Sequence, residues 1–112
     1  MAIEAQPMGV VRVARQVLST IVINSALQIP GVVRIAQGQD QWARLRGREI
    51  PRRGVALTIR ENTVSADLYI VVNVGTNIVE VGTAVQEEIA SAIEDMVGMQ
   101  VREVNVYIQD VV

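Results

Sequence analysis

The chain has 112 residues, 50% of them hydrophobic and 20% charged, with a formal net charge of −2. That length implies a single domain, 1–112, and 21 Val with 12 Ile supply enough apolar side chain to exclude global disorder. Cys, His and Lys are absent, which removes disulfides, thiolate and imidazole metal ligation, the commonest general base, and any Schiff-base or Walker-type lysine.

In chain order, residues 1–6 have no basic stretch and no long apolar core, so no secretory signal is expected. No segment approaches the ~20 apolar residues of a membrane span, and a soluble cytoplasmic protein is expected. Residues 9–14 predict a short strand. A helix follows from Arg15 or Gln16 to Gln28, closed by Pro30 and Gly31, because the residue before Pro is biased out of the helical region. Gln16, Thr20, Asn24 and Gln28 form one narrow polar stripe on it, and most of the remaining girth is apolar. Residues 32–36 predict a second strand. An Arg-rich loop then spans about 38–53, with Gly38, Gly47 and Pro51 as breakers and a helical turn near Trp42.

The clearest signal lies downstream. Val55, Leu57 and Ile59, then Val64, Ala66, Leu68, Ile70 and Val72, alternate with mostly polar residues on both sides of Glu61-Asn62. This predicts a hairpin pairing Ile59 with Val64, Leu57 with Ala66 and Val55 with Leu68, with Asn62 taking the positive φ of the turn. Asn77 and Glu80 resemble a capping box, opening a helix that presents Ile78, Val81, Val85, Ile89, Ala92, Ile93 and Met96 on one face and ends at Gly98. A last strand turns Val104, Val106 and Ile108 inward and Glu103, Asn105, Tyr107 and Gln109 outward. A strand, a helix and a strand in succession imply a right-handed crossover between parallel strands. The expected fold is α/β of the α+β kind, a two-layer sandwich with two helices on one face of a mixed sheet.

The segments Asp67-Leu68-Tyr69-Ile70-Val71-Val72, Asn77-Ile78-Val79-Glu80-Val81, Val85-Gln86 and Val104-Asn105-Val106-Tyr107-Ile108 resemble the alkaline shock protein family of Gram-positive bacteria. Val17-Leu18, Ile29-Pro30-Gly31-Val32 and Gly54-Val55 fit the same order and spacing, so the resemblance covers nearly the whole chain. Val79 stands where the family commonly has Pro, Asn62 where it commonly has Gly, and the first helix is less charged than usual. The resemblance implies a non-enzymatic cytoplasmic envelope stress response protein without an established active site. It also implies a protein held near the membrane by a partner, or one linked to lipid homeostasis.

Three surfaces stand out as interaction candidates; no catalytic, metal or cofactor site does. The first is Arg44, Arg46, Arg48, Arg52 and Arg53: residues 41–60 carry a net +5 while residues 61–112 carry −8. Such a cluster suits phosphate-bearing lipid head groups, a membrane-anchored or otherwise acidic protein surface, or RNA, and equally suits a solvated loop. The second is Tyr69 and Tyr107 on strands expected to be adjacent, either a base-stacking platform or a protein-contact face. Asp67 and Glu103 share that face and repel phosphate, so nucleic acid is the alternative and not the leading reading. The third is the first helix, where Val17, Ile23, Ala26 and Leu27 spread apolar surface beyond one side, predicting a homo-oligomer unless the loop covers them. The acidic pairs Glu87-Glu88 and Glu94-Asp95 read as a solvated face, since sequence neighbours on a helix diverge by about 100°.

Overall fold

The structure, a computed structural model, describes residues 2–4, 10–37 and 53–112, and side chains within 12–37 and 53–112. Its organising element is β5 (Thr63–Val72), where a period-2 pattern buries every second side chain from Val64 to Ile70, and Val71 and Val72 are buried too. Antiparallel to it runs β4 (Val55–Arg60), in the register that the alternation predicts: Val55 with Leu68, Leu57 with Ala66, Ile59 with Val64. β3 (Val32–Ile35) also pairs antiparallel with β5, at Ile70 to Val72, so β3 and β4 lie end to end along one side. On the other side β6 (Gln100–Val111) runs parallel to β5 along its whole length, as the crossover through α2 (Ile78–Val97) requires. The fold is α+β, and among the described residues it comprises a four-stranded mixed sheet with two helices.

The helices occupy one face. Leu18, Val22 and Ala26 of α1 (Arg15–Leu27) join Val81, Val85, Ile89 and Ile93 of α2 over Val64, Leu68, Ile70, Val72 and Val104 of the sheet. α2 begins and ends as its sequence directs: Asn77 accepts a hydrogen bond from the Glu80 amide (3.1 Å), and Gly98 closes the helix in the left-handed region at φ 76°. The Gln86 side chain donates to the Val104 carbonyl (2.9 Å), tying α2 to β6.

Four expectations need correction. The hairpin turn places its positive φ on Glu61 (52°), not Asn62, the sign pattern of a II′-type turn. Asn62 instead accepts from the Gln100 amide through its carbonyl (2.9 Å), which anchors the start of β6. Ile78 and Met96 are exposed (43% and 71%), because α2 has 20 residues against 13 in α1 and its end turns outrun the cover. Gln109 is buried, since a register shift between Ile70 and Val71 inserts it as an extra residue in β6. Finally, the strand read at 9–14 is β2 (Val10–Arg12), which pairs with β1 (Ala2–Glu4) in a separate two-stranded sheet that the sequence pattern did not suggest.

Candidate interaction site

Candidate residues from two separate readings meet at the edge of the molecule where α1 lies beside β3. Ile23 and Leu27 of α1, with Val33, Arg34 and Ile35 of β3, line a groove there, and Gln37 and Arg53 complete it. Leu27 is 45% exposed and Val17, on the same helix, 48%. Ile23 is half-buried and packs against the core, and Ala26 is fully buried, so the outer apolar surface of α1 is narrower than its composition implies. The polar stripe Gln16, Thr20, Asn24 and Gln28 is exposed throughout. Val33 (41% exposed) and Arg34 belong to this groove through a register shift between Val32 and Arg34, which a strand of four residues is too short to announce.

Arg53 reaches the groove because of the main chain at Tyr69. The Ala36 amide donates to the Tyr69 carbonyl (2.8 Å), and the Tyr69 amide donates to the Gly54 carbonyl (2.9 Å). One residue of β5 therefore holds both ends of the connection between β3 and β4. Gly54 has φ 74°, and a Cβ there would stand 2.2 Å from the Ala36 carbonyl oxygen, so the junction admits only Gly without a shift. Arg53 is exposed. Arg44, Arg46, Arg48 and Arg52, with the loop read at about 38–53 and the turn near Trp42, lie outside the described residues.

On the opposite face Tyr69 and Tyr107 are register partners in β5 and β6, and their rings stack at 4.7 Å with an interplanar angle of 17°. That separation is one strand spacing. Each ring therefore covers one face of the other, and those faces are closed to a stacking base, which needs an open ring face. Beside the pair, Asn105 donates through Nδ2 to Asp67 Oδ1 (2.9 Å), and Ala36 and Val71 are buried with Tyr69 packed on them. The face is ordered by its own contacts.

The family model that matches residues 4–112 is that of the alkaline shock protein 23 family, described as having a cell envelope-related function. The chain belongs to this family. Relatives within the alkaline shock protein 23 family range include the uncharacterized protein Spy1614 of Streptococcus pyogenes serotype M6, 31% identical over 106 residues, covering 92% of this chain and 88% of that protein. The uncharacterized protein YloU of Bacillus subtilis is 29% identical over 106 residues, again covering 92% and 88%. Among solved structures, a MamM CTD structure aligns with a TM-score of 0.54 at 11% identity, covering 87% of this chain and 99% of that one. A nickel form of the same domain aligns at 0.53 with 12% identity, covering 85% and 96%. The likeness to these solved structures is one of fold alone.

Proposed function

We propose that this protein serves the cell envelope without catalysis, as a cytoplasmic protein that works by association. The exposed, uncharged outer flank of α1 is the observation that carries the reading. No charged residue stands between Gln16 and Gln28, while Val17 and Leu27 are about half exposed. A second copy is the occupant this surface suits. Antiparallel pairing of two α1 helices about a two-fold axis sets Leu27 of one copy against Val17 of the other, and Thr20 against Asn24, and buries no unpaired charge. Arg34 and Arg53 at the groove rim then face outward from the pair, toward an acidic segment of a membrane-anchored protein or an anionic lipid surface. No helix among the described residues is long and apolar enough to cross a membrane, so contact with the membrane is taken to be peripheral. The stacking of Tyr69 on Tyr107, which occupies one face of each ring, weighs against the nucleic-acid alternative.

Complementation tests the reading in cells. In a strain lacking the protein, the parent is expected to restore tolerance to an envelope-damaging detergent, and Val17→Glu with Leu27→Glu is expected to fail while remaining folded and equally abundant. Full restoration by the double variant would contradict the proposal.

A further inference from the structure

The sheet face opposite α1 and α2 has a second feature, at the hairpin end and away from the tyrosine pair. Thr58 and Arg60 of β4, Thr63 and Ser65 of β5, and Arg102 and Glu103 of β6 line one shallow concavity. Register brings most of them together: Arg60 stands opposite Thr63, Thr58 opposite Ser65, and Ser65 opposite Glu103. Alternation sends Thr58, Arg60, Thr63 and Ser65 away from the helices, whereas Val64 and Ala66 between them are buried beneath α1 and α2; Arg102 and Glu103, on the edge strand, also line a shallow groove with Gln86, Glu87 and Ala90 of α2.

Arg102 arrives by a different route. Val64 pairs with Val101 and Ser65 with Glu103, so Arg102 is an extra residue in the ladder. Val101 packs on the core and Val104 is buried, which leaves both Arg102 and Glu103 exposed on the outer side. A bulge that re-aims one side chain onto a neighbouring group is a common device at binding sites. Here it sets a second guanidinium across β5 from Arg60, two strand spacings or roughly 10 Å away at the backbone, a span two Arg side chains can close around one ligand. Neither guanidinium has a hydrogen bond or ion pair among the described residues, although Glu103 lines the same concavity. The next carboxylate along β5, Asp67, is engaged by Asn105.

We propose that this concavity binds a phosphate monoester. Guanidinium forks match the oxygens of a phosphoryl group in bidentate fashion, and three hydroxyls between them supply further donors. Glu103 would repel a bare anion but accepts from a hydroxyl or amine, so it selects a phosphoryl group carrying a polar organic part over inorganic phosphate. The chemistry is shared by a free phosphorylated metabolite and by a lipid head group with a terminal phosphate.

Titration of the full chain, followed by backbone amide and Arg Nε–H NMR signals at constant ionic strength, tests the site. The probes are glycerol 3-phosphate, inorganic phosphate, and vesicles of phosphatidylcholine with or without phosphatidic acid. Saturable shifts are expected at Thr58, Thr63, Ser65 and Arg102, tighter for glycerol 3-phosphate than for inorganic phosphate. Arg60→Gln with Arg102→Gln is expected to weaken binding roughly tenfold or more without lowering the melting temperature. Glu103→Gln is expected to narrow the gap between the two soluble probes. Binding of glycerol 3-phosphate alone assigns a free metabolite, and binding only to vesicles containing phosphatidic acid assigns a lipid. The proposal is overturned if no probe gives saturable shifts at these residues, or if the double Arg variant binds as the parent does.

Discussion

Two glycines separate backbone freedom from space. Gly54 and Gly75 both have positive φ (74° and 85°), but a Cβ at Gly54 would meet Ala36 while one at Gly75 would meet nothing within 4 Å. Gly75→Ala is therefore expected to cost about 1–2 kcal/mol, the strain of the left-handed region alone. Gly54→Ala is expected to cost clearly more, because it must also push the β3 end away from Tyr69. Urea unfolding of both variants checks this, and equal midpoints would contradict the account of the junction. Leu68 is fully buried at the centre of β5, and Leu68→Ala is expected to cost about 2–5 kcal/mol in the same assay. A loss under ~1 kcal/mol would contradict its packing.

At the scale of elements, legibility followed the strength of local periodicity. The β4–β5 hairpin could be read to the residue because both strands alternate strictly and a two-residue turn fixes their register. α2 was equally plain, since Asn77 and Gly98 mark its ends chemically; Asn77→Ala is expected to lower stability by about 0.5–2 kcal/mol, measured by thermal unfolding. What escaped were the ladder irregularities and the pairing of distant short strands. The bulge at Arg102 has a faint trace in the sequence, because Val101 and Val104 break the period of two, but alternation read from Glu103 onward passes over it. Three-residue β1 carries too little pattern to announce itself. The groove was legible only in parts: Leu27 and Arg53 both stood out, yet nothing local says that Tyr69 gathers the ends of the connection next to α1.

For the whole molecule, the decisive facts are the uneven charge and the one-sided burial of α1. A sheet three strands wide has room for two helices, and α1 buries only Leu18, Val22, Ser25 and Ala26. Beyond Arg15 at its first position, its remaining surface is uncharged and not covered by α2, a combination that favours a partner of the same kind. Ile23 supports the core, so a charge there would confuse unfolding with dissociation; Val17 and Leu27 are the positions at which the two separate. Light scattering over a concentration series from low to high micromolar, run on the parent and on folded Val17→Glu with Leu27→Glu, tests association through α1 most directly. The parent is expected to rise from the mass of one chain toward that of two while the variant stays at one. A parent that remains at the mass of one chain throughout, or a folded variant that rises with it, would contradict the account.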